Sequence, residues 1–223
     1  METKKTDLGS RAHLLTDAHG VIFTKQDDFN NVYSPELRKR YEYDERLSQS
    51  LYYSELTKGI ITSYEYFRKI GINPSDNYIR NLGFIEELEI APEFFKFAEK
   101  LKDRFRISVV SNDAPEWRDG IVQHFGLNQY VDDYFVSGDK DIGVRKPDSG
   151  IYTAVLSKLK VNSSQCIFVE DVLENLVAPS QLGMLTIYFN RNNQPEKIRG
   201  FVPDYTVRDF RELGGLLVGA THG

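Results

Sequence analysis

The chain has 223 residues, 40% hydrophobic and 27% charged, which suits a folded domain with one sizeable core and room for a small inserted unit. A formal charge of −5 gives no reason to expect nucleic acid or an anionic membrane as the main partner, although a local phosphate site needs only one lysine and a few N–H groups. The single cysteine, Cys166, excludes an internal disulfide. No signal-peptide run opens the chain and no apolar run reaches membrane-spanning length, so a cytoplasmic protein is expected.

The first strand signal is His13-Leu14-Leu15-Thr16, ending at Asp17-Ala18-His19-Gly20. Residues 25–90 then break any strand–helix rhythm. Within them Ser34-Pro35-Glu36 reads as an N-cap followed by proline, and Thr62-Ser63-Tyr64-Glu65 as a capping box whose helix Gly71 stops. From Pro92 onward strands and helices alternate. A helix over 92–102 leads to a strand at Ile107–Val110, a helix at Pro115–Phe125 ending at Gly126, and a strand at Asp133–Val136. A helix over Ile151–Leu159, a strand at Ile167–Val169, a helix over Leu173–Leu182 and a strand at Leu185–Tyr188 follow. Tyr205–Val207 and a helix after Asp209 close the series. Such units predict an α/β fold: a Rossmann-like three-layer α/β/α core around a parallel sheet. The excursion is too long for a loop, so it predicts an inserted helical-bundle cap over 25–90, leaving 1–24 and 91–223 as the core.

Ligands of open parallel sheets sit beyond the carboxyl ends of the strands. That rule selects Asp17 and His19, Ser111 and Asn112, the segment 137–146 with Lys146, and Glu170 with Asp171. A carboxylate, a hydroxyl, a lysine and an acidic pair are the parts that metal-assisted phosphoryl transfer requires.

Four segments in order carry a family resemblance. Leu14-Leu15-Thr16-Asp17-Ala18-His19-Gly20-Val21-Ile22-Phe23, Val109-Val110-Ser111-Asn112, Gly143-Val144-Arg145-Lys146-Pro147-Asp148 and Phe168-Val169-Glu170-Asp171 resemble motifs I to IV of the haloacid dehalogenase (HAD) superfamily. The insertion after motif I is similar to the C1-type helical cap of its subfamily I. The resemblance implies a hydrolase with Asp17 as covalent nucleophile and His19, Ser111 and Lys146 as the other catalytic residues. Ser111, Asn112 and Lys146 would bind substrate. Mg²⁺ would be held by Asp17, Glu170, Asp171 and the His19 main-chain oxygen. The implied partner is a small phosphorylated molecule, with neither nucleic acid nor membrane, and the chain would be a monomer or homodimer.

The chemistry has its own logic. An aspartate nucleophile splits phosphoryl transfer into two steps, and a cation must offset its repulsion from a phosphate dianion. Mg²⁺ suits an all-oxygen site. The family's phosphatases usually carry a second aspartate two residues after the nucleophile, where this chain has His19. Two readings stay open: the imidazole takes over acid/base work, or only the backbone of His19 matters. A 2-haloacid dehalogenase, which uses the same aspartate on carbon without metal, and a non-catalytic phosphate-binding relative are the alternatives. Glu170-Asp171 argues against the dehalogenase. Arg145 reads either as surface or as part of the site. One or two of the cap aromatics Tyr41, Tyr43, Tyr52, Tyr53, Tyr64, Tyr66 and Phe67 are expected to line the pocket.

Overall fold

Short runs rich in apolar residues, buried in the central strands and largely half-buried at the two sheet edges, build six strands. They are β1 (His13–Thr16), β2 (Arg106–Ser111), β3 (Asp133–Val136), β4 (Cys166–Glu170), β5 (Leu185–Phe189) and β6 (Tyr205–Val207). All pair in parallel in one sheet of order β3-β2-β1-β4-β5-β6. The computed structural model describes residues 11–26, 29–43, 45–47, 51–198 and 200–219; the first ten and last four residues of the expected core lie outside them.

Alternation along the strands divides the core in two. Leu14, Val109 and Ile167 join one apolar cluster, while Leu15, Val110 and Phe168 join the other. In the insertion, the helices are α1 (Ser34–Arg40), α2 (Glu45–Leu47), α3 (Tyr53–Leu56), α4 (Ser63–Lys69) and α5 (Asn77–Arg80). The later helices are α6 (Phe94–Leu101), α7 (Pro115–Phe125), α8 (Ser149–Leu159), α9 (Leu173–Leu182) and α10 (Phe210–Gly219). The first cluster takes Phe94 and Ala98 of α6, Trp117 and Ile121 of α7 and Leu213 of α10; the second takes Ile151 and Val155 of α8 and Leu176 of α9. The result is the three-layer core expected from the helix–strand rhythm.

The insertion is helical, and its helices are short, α1 and α4 having seven residues each. The capping box at Thr62 and Glu65 forms with both reciprocal bonds, and Gly71 follows the helix at φ +88°. Ser34 departs from its expected role. A π-helical turn, Phe29–Tyr33, runs directly into α1, so Tyr33 occupies the cap position without a side-chain cap bond. The Ser34 hydroxyl instead meets Tyr43 Oη at 2.8 Å and donates to Glu45 at 2.9 Å. Continuation of the upstream turn removed the need for a cap.

The chain leaves and re-enters the core side by side: Thr24 N donates to Glu89 O at 2.8 Å and Ala91 N to Ile22 O at 2.9 Å. Trp117 of α7 anchors the insertion from below. It is wholly buried, donates from Nε1 to Ser63 Oγ at 2.8 Å, and meets the rings of Tyr33, Phe84 and Tyr66 edge-on at 5.1–5.9 Å.

Candidate active site

β1 lies between β2 and β4, with Thr16 beside both Val109 and Val169. This register brings the residues that follow the three strands to one edge. Asp17, Ser111, Asn112, Lys146 and Asp171 line a cavity of about 320 Å³ there, together with His19.

At its floor is a buried charge cluster. Lys146 Nζ lies 2.7 Å from Asp17 Oδ1 and 2.7 Å from Glu170 Oε2. Asp17 Oδ1 also accepts from the Ala18 N–H at 2.7 Å. Burial, with nearby Glu170, pushes the Asp17 carboxyl up to about 7, against the opposing pull of Lys146. Burial and the charge of Asp17 push Asp171 up to about 6. Glu170 is raised by burial and by Asp171, despite Lys146. Burial disfavours the Lys146 ammonium, but Asp17 and Glu170 outweigh it and hold its pKa above the ordinary value. One lysine faces three carboxylates, so the cluster is short of positive charge.

Oxygens of Asp17, Glu170 and Asp171 lie within 4.8 Å of one another, and Asp171 Oδ2 is buried with no hydrogen-bond partner among the described residues. A divalent cation fits this donor set: hard oxygens, excess negative charge and an orphaned acceptor. The loop is shaped for close approach. Gly20 sits at φ +83°, and a Cβ there would meet Asp171 Oδ2 at 2.0 Å. Within the cluster Glu170 is the most engaged member. Besides the Lys146 contact, its Oε1 accepts from the N–H groups of Asp171 and Val172 at 3.1 and 3.2 Å.

Asn112 lines the cavity, but its carboxamide is directed at the Lys146 backbone. Nδ2 donates to Lys146 O at 3.0 Å and Oδ1 accepts from Lys146 N at 2.8 Å. This clamp was not legible in the sequence. Ser111 is buried at the same rim, its carbonyl accepting from Ser137 N at 2.9 Å. The His19 ring lies on Phe23, centroids 5.3 Å apart, with Nε2 3.7 Å from Oδ2 of the wholly buried Asp113. That separation exceeds a hydrogen bond. Asp113 follows the second strand's Ser-Asn pair, and its position alone could have marked it.

Of the expected cap aromatics Tyr53 reaches the cavity, where Arg145 joins it. Cys166 is buried in β4 with its thiol pushed up to about 11 by burial, the profile of an inert core residue.

The model of the haloacid dehalogenase-like hydrolases matches residues 13–183, spanning β1 through the end of α9 and every residue of the cluster. The chain belongs to this family. It is therefore a HAD-like hydrolase with the family's α/β core and helical insertion. It is 28% identical to the (S)-2-haloacid dehalogenase of Pseudomonas sp. (strain YL) over 62% of this chain and 56% of that one. It is 24% identical to the ribulose-1,5-bisphosphate 5-phosphatase of Halopiger xanaduensis over 51% and 47%. The chain thus spans about half the length of these curated relatives. A HAD-family enzyme from Bacteroides thetaiotaomicron, solved with magnesium and inorganic phosphate, superposes with a TM-score of 0.63 at 19% identity, covering 80% of this chain and 93% of that one. Among the described residues no helix is long and apolar enough to cross a membrane.

Proposed function

We propose that this chain is a magnesium-dependent phosphatase of small phosphate esters, with Asp17 as covalent nucleophile. The observation that carries the reading is the buried Asp17–Glu170–Asp171 cluster with one orphaned carboxylate oxygen, a site built for a cation beside a nucleophile. Asp17, Asp171 and the His19 carbonyl would hold Mg²⁺, with Glu170 completing the cluster from behind Lys146. When bound, the ion supplies charge neutralisation between nucleophile and phosphate.

The steps follow from the residues. An Asp17 oxygen attacks phosphorus, the ester P–O bond breaks, and the leaving oxygen takes a proton. Water then attacks the aspartyl-phosphate at phosphorus, releasing phosphate and restoring Asp17. Lys146, held by Glu170 and by the Asn112 clamp, offsets charge on Asp17 and the transferring group. Ser111 and neighbouring N–H groups hold the phosphoryl oxygens. His19, at the cavity wall, is the proton donor and acceptor in this reading.

We divide the chain into a core of 1–24 and 91–223 and a C1-type cap of 25–90, a division supported by the hydrogen-bonded exit and return segments. A cytoplasmic monomer or homodimer acting on a small phosphorylated molecule completes the proposal.

The dehalogenase reading has one specific support, the match to the Pseudomonas enzyme together with the absence of an aspartate at position 19. One assay separates the two. Hydrolysis of small phosphate esters that stops with chelator and returns with Mg²⁺ is expected; chelator-resistant halide release from 2-chloropropionate, without phosphatase activity, would reverse the assignment.

A further inference from the structure

A second cleft of about 810 Å³ adjoins the cavity above Asp17, and Arg145 and Lys146 line both. One wall of the cleft is the 143–148 loop; the other is the insertion, with Ser54 of α3 and Lys58 just beyond it. A molecule with its phosphate at Asp17 that extends past Arg145 reaches the cleft beside Lys58.

The charges along this route are not balanced internally. Lys146 is committed to Asp17 and Glu170. Arg145 has no ion pair among the described residues; its guanidinium carbon lies 5.6 Å from the Tyr53 ring centroid, and its Nε is buried with no hydrogen-bond partner there. Lys58 is exposed and likewise has no ion pair among the described residues. The acid of the cleft, Asp148, uses its carboxylate to accept from Gly150 N at 2.8 Å and cap α8. A guanidinium steadied by an aromatic ring, partly desolvated and lacking an acceptor, is a binding group for an oxyanion.

We propose that the substrate carries a second anionic group, a carboxylate or a second phosphate, on the part that leaves, and that Arg145 binds it with Lys58 at the mouth of the cleft. This rests on the phosphatase reading for the placement of the first phosphate and adds the class of leaving group. Tyr53 acts as the platform that fixes the guanidinium, so the cap supplies the surface and the core supplies the charge.

The test uses two matched pairs with Mg²⁺ present. The carboxylate pair is 3-phosphoglycerate against glycerol 3-phosphate; the phosphate pair is propane-1,3-diyl bisphosphate against 3-hydroxypropyl phosphate. Their non-hydrolysable phosphonate analogues are titrated calorimetrically into wild type and Arg145→Ala, and turnover of the esters is measured in parallel. Wild type should bind at least one dianionic-plus-anion member about tenfold to a hundredfold more tightly than its neutral-tailed partner. Which pair shows the larger ratio identifies carboxylate or phosphate. Arg145→Ala should erase the ratio, and Arg145→Lys should restore part of it. A wild-type ratio near one in both pairs overturns the proposal, as does a ratio that survives in Arg145→Ala. Turnover distinguishes the underlying reading: loss of the ratio with esters still hydrolysed leaves the phosphatase standing, while an intact ratio without hydrolysis of any ester sinks the phosphatase and keeps the anion site.

Discussion

The carboxamide of Asn112 grips the Lys146 backbone at both ends, donating to its carbonyl at 3.0 Å and accepting from its N–H at 2.8 Å. The loop after β3 is thereby tied to the end of β2, and the ammonium is delivered to Asp17. Asn112→Ala should lower kcat by up to about a hundredfold, the scale on which a misplaced catalytic group is felt. The Mg²⁺ requirement should stay unchanged. Asn112→Asp keeps the acceptor and loses the donor, so it should fall between the two. Steady-state kinetics on one ester decides this; wild-type kcat in Asn112→Ala would refute the clamp's role.

Asp17→Asn should abolish turnover while leaving the fold intact. An amide keeps the shape and can still accept from Ala18 N–H, but it is a poor nucleophile. Circular dichroism checks the fold, and metal-dependent hydrolysis retained by the pure variant would remove Asp17 from its role.

Asp171 and Glu170 should fail differently. Asp171→Ala removes a cation ligand and should raise the Mg²⁺ concentration needed for half-maximal rate. Glu170 is wholly buried against Lys146, and deleting one partner of a buried ion pair costs about 3–5 kcal/mol, so Glu170→Ala should chiefly lower the thermal midpoint. Identical Mg²⁺ titrations for wild type and Asp171→Ala would place the metal elsewhere.

The pH dependence of stability follows from the raised carboxyls. Asp17 at about 7 and Asp171 at about 6 bind protons more tightly folded than unfolded, where both return to the ordinary aspartate value of 3.8. Their contribution is fully present below that value and is lost as pH rises through about 6 and 7. Metal-free protein should therefore lose stability across this window in thermal melts, and Asp17→Asn should flatten the slope. A metal-free midpoint that rises over the same window would contradict the cluster's electrostatics.

His19 is tested by leaving group. If its imidazole delivers the proton, His19→Ala should slow alkyl esters about 10²–10⁴-fold more than nitrophenyl phosphate, whose leaving oxygen hardly needs one. His19→Asp restores the family's usual residue and should recover the alkyl esters. Equal losses on both ester types would instead indicate a disturbed metal-binding loop.

The strands, α7 and α9 were legible because each is a local signal: an apolar run, or a helix bracketed by proline, glycine or a capping residue. Gly126 stops α7 and Gly183 stops α9, both at positive φ, within one turn of the residues they serve. The four motif segments were legible for a related reason, since each follows directly on a strand. The clamp of Asn112 was not, because the amide could as well have faced substrate; a contact across 34 residues exists only once β2 and the following loop are assembled. Nor could the sequence choose Tyr53 among seven cap aromatics, since that depends on how short helices settle against α7. Ser34 misled because a local cap pattern was overridden by the turn before it.

The chain's single tryptophan stands where cap and core meet, ringed by cap aromatics and hydrogen-bonded to Ser63. All indole emission from the protein therefore originates at the contact between α7 and the inserted helices. That emission reports how the inserted helices pack on α7, so a change in that packing on substrate addition is readable without a label as a spectral shift.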